Sequence, residues 1–306
     1  MSQDFISAAQ QQDFLREGYI RLHDAVPSTL VNTWQSIADS LEQQAARKHA
    51  EGRALSQACI SNDPVGPRLV RYNDVFSQAW EASLELLATP AMLSIAVKLC
   101  GIGAVPLQMD ILFKQQHPHP VVNWHQGAPH KRNYPYLNIG VYLDDAPEGD
   151  GCLRYVPGSQ HELLDIQTLS ARHGWDIPGT VEQPAQTGDI LIQDMMILHG
   201  SQPKRSAGAR RTIYIELRPY EGILDCARQS PLWADLRKQW MALVLERADQ
   251  KLVPQSWYDY YPVGEVDGEQ LLQALVQHWE PPIPAVWAVF PVEHPDYPVP
   301  GDLRPA

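Results

Sequence analysis

The chain has 306 residues, of which 44% are hydrophobic and 20% are charged, and its formal net charge at pH 7 is -12. A chain of this length can bury a sizeable core, and its composition excludes both a disordered protein and a membrane protein. The acidic balance disfavours a protein that binds nucleic-acid polymers. Because the start has no basic segment followed by an apolar one, we expect a cytoplasmic protein with no membrane contact.

The first third of the chain has mainly helical patterns. The predicted elements, in chain order, are a short helix that ends at Gly18, a strand over 19–22, a long amphipathic helix capped by Ser28 that ends near Gly52, a helix over 76–87, and a helix from Pro90 to Cys100. We therefore expect residues 1–102 to be a helical lead-in that covers a sheet.

From about residue 103 the pattern changes to short runs rich in β-formers, separated by glycine and proline turns. The predicted strands are Gln108–Phe113, Val121–Trp124, Tyr136–Leu143, Cys152–Val156, Asp189–Gln193, Met196–Leu198 and Thr212–Leu217. Short strands after a helical lead-in favour a mainly β fold with added helices, either a sandwich or a jelly-roll barrel. We expect residues 103–220 to form this core and residues 221–306, with further helical patterns, to be a C-terminal extension of one domain.

Two of the eleven histidines stand where predicted strands end. His125 closes the run that contains Trp124, and His199 closes the run that ends at Leu198. Neutral imidazoles from two strands of a jelly roll suit a divalent metal, which a carboxylate normally completes. Taken alone, such histidines are more often structural, so the interpretation depends on the residues around them.

Five separated segments surround these histidines in a characteristic order. They are Trp124-His125-Gln126, Gly140 to Asp145, Asp150 to His161, Gly188-Asp189, and His199-Gly200-Ser201 with Arg210 eleven positions after His199. Between about Phe14 and Pro219 the chain resembles the phytanoyl-CoA dioxygenase family of non-haem Fe(II) and 2-oxoglutarate enzymes. The resemblance implies a double-stranded β-helix, a jelly-roll or cupin-like barrel, with iron at one mouth.

The same resemblance assigns expected roles to individual residues. It implies that His125 and His199 bind Fe(II), that Arg210 pairs with the distal carboxylate of 2-oxoglutarate, and that Ser201 supplies the hydroxyl beside it. A guanidinium is a planar fork that suits a carboxylate. Lys114, on the strand before His125, is a further candidate to face 2-oxoglutarate. O2 completes the set of expected cofactors.

One position departs from the family pattern. The family has His-x-Asp, whereas the third residue here is Gly127, which cannot ligate a metal through a side chain. In the first of three explanations, chloride or bromide binds iron in the space left at Gly127, as in the related halogenases, and the enzyme halogenates a small molecule while releasing succinate and CO2. We favour this explanation at this stage.

The second explanation is a hydroxylase in which the aspartate was replaced or a nearby residue, such as His130 or Asp110, takes its place. The third is a catalytically silent relative that only binds a small molecule.

The substrate is the least constrained part of the sequence. The run His130-Lys131-Arg132 is the densest positive cluster near the expected metal, so it is a candidate to receive an anionic group of a small-molecule substrate. A solvated basic turn is the alternative. Aromatic residues in the extension, around Trp257 and Tyr261, are candidates for a pocket wall or for the contact of a homodimer.

Overall fold

The computed structural model describes residues 5–63, 65–119 and 121–287. The helices are α1 (Ala8–Glu17), α2 (Ser28–Ala50), α3 (Trp80–Leu87), α4 (Pro90–Ile95), α5 (Ile166–His173), α6 (Tyr220–Cys226), α7 (Pro231–Arg247), α8 (Gln255–Tyr260) and α9 (Gly268–Gln277). The strands are β1 (Tyr19–Leu22), β2 (Ala58–Asp63), β3 (Gly66–Tyr72), β4 (Ala104–Lys114), β5 (Val122–Gln126), β6 (Leu137–Tyr142), β7 (Leu153–Val156), β8 (Val181–Gln183), β9 (Ile190–Asp194), β10 (Leu198–Ser201), β11 (Arg210–Pro219) and β12 (Val286–Trp287).

The strands form two antiparallel sheets that make the two walls of a jelly roll. The larger sheet has seven strands in the order β1-β9-β6-β11-β4-β3-β2, and the smaller has five in the order β12-β5-β10-β7-β8. Apart from the paired strands β7 and β8, consecutive core strands alternate between the sheets, so β4, β6, β9 and β11 lie in one wall and β5, β7, β8 and β10 in the other. This alternation is the double-stranded β-helix that the sequence predicts.

The larger sheet is apolar on its outer face and polar on its inner face. Along β11, Ile213, Ile215 and Leu217 are almost completely buried in the main hydrophobic core, whereas Arg210 and Thr212 point the other way. Side chains alternate between the faces of a strand, so one face serves packing and the other serves the barrel interior. The interior of the barrel is therefore lined by buried polar groups.

Helices cover the outer face of this sheet. Trp34 and Ala38 of α2 are fully buried in the same core as the apolar residues of β11. At the start of β11, Arg211 points outward and forms ion pairs with Asp144, at 2.7 Å, and with Asp39 of α2. Arg211 therefore ties α2 to the sheet.

The helical and strand predictions are confirmed for most elements, with three corrections. The strand predicted over 19–22 is confirmed as β1, but the lead-in over 1–102 also contains the β2–β3 hairpin, which was not predicted and extends the larger sheet. Pro27 rather than Ser28 caps α2, and Ser28 is its first residue. The strand predicted at Met196–Leu198 lies further along the chain, at β10.

Within the described parts of the chain, no single helix is long and apolar enough to cross a membrane; the bent pair formed by α3 and the segment Pro90–Cys100 passes that test of length and composition only jointly.

The C-terminal helices pack on the N-terminal ones through an aromatic cluster. Trp240 of α7 is fully buried, and its ring centroid lies 4.7 Å from that of Phe76 and 5.7 Å from that of Trp80. Aromatic side chains of this size bury a large area and contribute strongly to packing. The extension thus shares its core with the lead-in.

We predict that Trp240→Ala lowers the free energy of unfolding by about 3–5 kcal/mol, because it leaves a large cavity between α7 and α3. Urea unfolding followed by circular dichroism measures this loss. Leu232→Ala, on the same helix but 50% exposed, is the matched control and should change stability little. Equal effects of the two substitutions would contradict the packing described here.

Candidate functional site

The two histidines singled out from the sequence lie side by side inside the barrel. His125 of β5 and His199 of β10 are directly opposite each other in neighbouring antiparallel strands. Their ring centroids are 3.9 Å apart, and the two side chains are buried. The strand pairing thus presents two imidazoles from different segments of the chain to one point.

Both imidazoles are held in the form that binds metals. Nδ1 of His125 lies 2.9 Å from the carbonyl oxygen of Asn123, and Nδ1 of His199 lies 2.9 Å from that of Ile197. A carbonyl only accepts, so each Nδ1 carries the proton and each Nε2 keeps its lone pair. Burial lowers the pKa of His199 to about 4, and burial together with His199 lowers that of His125. Both rings are therefore neutral at pH 7, as metal ligands must be.

Arg210 presents unpaired hydrogen-bond donors to the barrel interior. It is 1% exposed, and its Nη1 donates to the carbonyl oxygen of Gly151 at 2.7 Å. Its Nε and Nη2 have no partner among the described residues, and neither has the hydroxyl of the neighbouring Thr212. Buried donors of this kind are costly unless a ligand satisfies them. The free edge of the guanidinium suits a carboxylate that binds it through two oxygens.

Ser201 and Lys114 lie beside Arg210, around Gly151. The Ser201 hydroxyl donates to the Gly151 carbonyl oxygen at 2.7 Å, and Lys114 Nζ donates to the Ser201 carbonyl oxygen at 3.3 Å. Gly151 has φ +77°, and a Cβ there would lie 2.7 Å from the Lys114 side chain, so only glycine fits. Burial, followed by the charge of Arg210, lowers the Lys114 pKa well below its ordinary value. The three residues predicted to face 2-oxoglutarate are thus brought together.

The surroundings of Gly127 differ from the expected open space. The Gly127 N–H donates to the carbonyl oxygen of Met195 at 2.8 Å, and a Cβ on Gly127 would lie only 2.3 Å from that oxygen. The Met195 side chain also fills this region, with its sulfur 2.4 Å from the Cβ position. The place we expected a halide to use is therefore occupied by Met195. A substitution of Gly127 by aspartate would also require this backbone to move.

The two carboxylate substitutes proposed from the sequence are engaged elsewhere. In the described part of the chain, no three or more His, Cys, Asp and Glu side chains are grouped so as to hold a metal ion. Asp110 accepts hydrogen bonds from the Arg71 side chain and from the backbone N–H of Asp74. His130 Nδ1 bonds the carbonyl oxygen of Ala128 at 2.9 Å. Neither residue is grouped with the two histidines.

The basic run His130-Lys131-Arg132 differs from the expectation of a free anion site. Arg132 forms a bidentate pair with Asp194, with distances of 2.9 and 2.6 Å, and Lys131 lies 3.2 Å from Asp225. The Lys131 side chain is 62% exposed. Because each cation already faces a carboxylate, this loop has little charge left to attract an anionic substrate.

A cavity of about 450 Å³ lies along the inner face of β3 and β4. Arg71, Asp74, Gln108 and Asp110 supply its polar wall, and Trp279 from the C-terminal extension covers it. Burial and the neighbouring His199 lower the pKa of His125 most, and the charge of Arg71 lowers it further. Arg71, which lines the cavity, therefore lies within electrostatic range of this imidazole. The described residues that line the cavity include neither histidine, so the cavity is a candidate substrate pocket on the same sheet face and does not contact the imidazoles directly.

Sequence reasoning missed three residues that touch the histidine pair. The ring of Trp287 in β12 stacks on that of His125 with centroids 3.9 Å apart, and the side-chain amide of Gln193 lies 3.0 Å from Nε2 of His199. Tyr155 donates to the other end of that amide at 2.6 Å. Gln193 had a signal in the sequence, since it lies on the strand that follows Gly188-Asp189 and leads to His199.

Glu216 also lies on the inner face of β11, where it accepts hydrogen bonds from Tyr136 at 2.6 Å and Gln108 at 2.8 Å. Burial raises the pKa of Glu216 from 4.5 to about 7, although the hydrogen bond from Tyr136 opposes this rise, and the Asp110 carboxylate adds to it. Where folding raises the pKa of a carboxyl group, the stability of the fold falls as the pH rises through the pKa of the folded state. The ionised form therefore destabilises the fold above pH 7.

We predict that Glu216→Gln raises the free energy of unfolding by about 2 kcal/mol at pH 8 and much less at pH 5. The gain appears at pH 8 because only there does the wild-type protein keep an ionised carboxylate at this position. Urea unfolding at the two pH values measures it, with Glu148→Gln at an exposed turn as the control. A gain that is the same at both pH values would contradict the raised pKa.

Comparisons with known proteins agree with this architecture. The sequence matches the phytanoyl-CoA dioxygenase (PhyH) family over residues 14–212. Over 92 residues it is 32% identical to L-proline trans-4-hydroxylase of Streptomyces griseoviridis, a match that covers 26% of this chain and only 32% of that protein. The chain thus matches about a third of the length of this relative.

Solved structures show the same fold. AviO1 of Streptomyces viridochromogenes is 26% identical and aligns with a TM-score of 0.58 over 70% of this chain and 95% of its own. EctD of S. alaskensis, crystallised with 2-oxoglutarate and 5-hydroxyectoine, is 22% identical and aligns with a TM-score of 0.57 over 72% of this chain and 79% of its own. The family match spans well over half of the sequence, and the chain belongs to the phytanoyl-CoA dioxygenase family.

Proposed function

We propose that this protein is an Fe(II)- and 2-oxoglutarate-dependent oxygenase that hydroxylates a small molecule. The observation that carries the proposal is the convergence, inside one barrel, of two neutral imidazoles whose Nε2 atoms are unprotonated and a buried arginine with unpaired donors. Two imidazoles suit Fe(II), and the arginine suits the distal carboxylate of 2-oxoglutarate. Another EctD crystal structure contains bound Fe, which supports the choice of cofactor for this fold.

Different residues would bind the metal and the 2-oxoglutarate. Bound Fe(II) would supply the redox centre at which O2 and 2-oxoglutarate become succinate and CO2 while one oxygen atom enters a C–H bond of the substrate. His125 and His199 would hold the metal, and their bonds to backbone carbonyls fix both rings. Arg210, with Ser201 and Lys114 beside it, would fix the depth of 2-oxoglutarate in the barrel.

Halogenation is the second candidate. The observation that favours it is the missing carboxylate, because Gly127 has no side chain to bind the metal and no third acidic or histidine ligand is grouped with the pair in the described residues. The observation against it is Met195, whose carbonyl oxygen and sulfur occupy the space beside Gly127. We therefore place hydroxylation first, which reverses the order favoured from the sequence alone.

The cavity lined by Arg71, Asp74 and Asp110 supports a small substrate that carries a cationic group. Its volume of about 450 Å³ suits a compact metabolite. Asp74 and Asp110 contribute carboxylates to its wall and Arg71 contributes one guanidinium, which is already paired with Asp110. Since Lys131 and Arg132 are also paired with carboxylates, we propose amines and amino acids, rather than the anionic compounds suggested by the sequence, as the first substrates to test.

We predict that the protein, supplied with Fe(II), O2 and 2-oxoglutarate, forms succinate and a product that has gained one oxygen atom, both with and without chloride. A panel of amino acids and small amines, read by mass spectrometry, measures this outcome. His199→Ala should abolish succinate formation because it removes half of the imidazole pair.

A product that gains chlorine when chloride is present would instead support halogenation. Absence of succinate with every substrate, despite bound Fe(II), would favour a silent relative that only binds a small molecule.

We predict that Arg210→Lys raises KM for 2-oxoglutarate by about 10–100-fold, because a lost charged hydrogen bond of the guanidinium fork is worth about 1.5–3 kcal/mol. Initial rates of succinate formation measure the change. Arg211→Lys is the matched control, since the adjacent side chain faces outward and pairs with Asp144. An unchanged KM in Arg210→Lys would contradict the proposed 2-oxoglutarate site.

A further inference from the structure

Gln193 is the buried polar side chain nearest to the metal-binding atom of His199 for which the proposed function gives no role. It lies on β9, in the wall opposite His199, and is 2% exposed. Its Nε2 is 3.0 Å from Nε2 of His199, and its Oε1 accepts a hydrogen bond from the Tyr155 hydroxyl at 2.6 Å. The amide therefore occupies a position that faces the lone pair reserved for a metal.

The spacing matches that of two ligands on one metal ion. Ligands at about 2.1 Å from an octahedral metal and at right angles to each other are about 3.0 Å apart. The end of the Gln193 side chain lies at that distance from the His199 nitrogen. The Nε2 end of the Gln193 amide cannot ligate a metal in this orientation, because that nitrogen donates a hydrogen bond to His199.

A half turn of the amide about its last bond presents the oxygen instead. The turn exchanges Oε1 and Nε2, so the oxygen faces the metal and the N–H faces Tyr155. The Tyr155 hydroxyl both donates and accepts, so it keeps a hydrogen bond to the amide in either orientation. Tyr155 is itself held in place by stacking on Tyr19, with ring centroids 4.7 Å apart. The turn thus exchanges the partners of the amide and keeps one hydrogen bond between Gln193 and Tyr155.

The remaining side chains leave this position to Gln193. Gly127 has no side chain, and Met195 fills the space beside it. Asp194, the next residue of β9, points away and binds Arg132 through both carboxylate oxygens. Amide oxygens are accepted ligands of hard divalent metals, although they carry no charge.

We propose that Gln193 is the third protein ligand of the metal, in place of the carboxylate missing at Gly127, and that Tyr155 is a positioning residue for its amide. This inference rests on the proposed function, because it requires that His125 and His199 bind a metal. A neutral third ligand leaves more positive charge on the metal, which favours the binding of an oxoacid anion beside it.

The test measures Co(II) binding by the full chain without oxygen turnover, using calorimetry for the dissociation constant and visible absorption for the ligand set. We expect Gln193→Ala to weaken Co(II) binding by at least about tenfold and to change the absorption bands. Gln193→Glu should restore or tighten binding, because it returns an anionic oxygen. Tyr155→Phe should weaken binding less than Gln193→Ala does.

Gln183→Ala is the matched control, since this amide also bonds a tyrosine hydroxyl, that of Tyr19, but reaches no histidine. Gln193→Met keeps the side-chain length if the alanine variant fails to fold. Wild-type affinity and spectrum in the alanine or methionine variant would overturn the inference. So would weaker binding that Gln193→Glu does not restore, because Gln193 would then act only as a hydrogen-bond donor. Unchanged Co(II) binding in His125→Ala and His199→Ala would instead overturn the proposed metal site.

Discussion

The alternation of side chains along β11 is the constraint on which the rest of the structure depends. One set of residues, including Ile213 and Ile215, is buried under the helices, and the other set, including Arg210 and Thr212, faces the interior. A shift of one residue in pairing would exchange the two faces. It would turn Arg211 into the barrel, away from Asp39 of α2, and would place Arg210 on the face under the helices. Packing energy and site geometry are therefore fixed by the same register.

The interior charges are kept in balance by short-range pairing. Asp110 is paired with Arg71, and Asp194 is paired with Arg132, so each of these buried carboxylates has a positively charged partner. Removing the arginine from either pair would leave a buried carboxylate without a charged partner, which is destabilising. The groups left without a protein partner, above all two nitrogens of Arg210, are thus the positions at which a bound ligand would gain most.

The sequence predicts the jelly roll, the long helix α2 and the residues around Arg210, because strand periodicity and family motifs are local signals. It did not predict the β2–β3 hairpin, since the register of those strands is set by pairing with β4 and not by their own pattern. The sequence also did not predict that Met195 fills the space beside Gly127, because Met195 comes from a distant connection between strands. Likewise, the sequence predicted that Lys131 and Arg132 could bind an anion, but in the structure Asp225 and Asp194 already pair with them.

The pairing of β12 with β5 links the C-terminal extension to the first histidine. Val286 and Trp287 add a strand at the edge of the smaller sheet, opposite Gln126 and His125. An open sheet edge offers unpaired backbone groups to other chains and promotes aggregation. The two-residue strand therefore shields that edge while its indole covers one face of the His125 ring. The same short piece of backbone thus covers one sheet edge and limits access to one face of the imidazole.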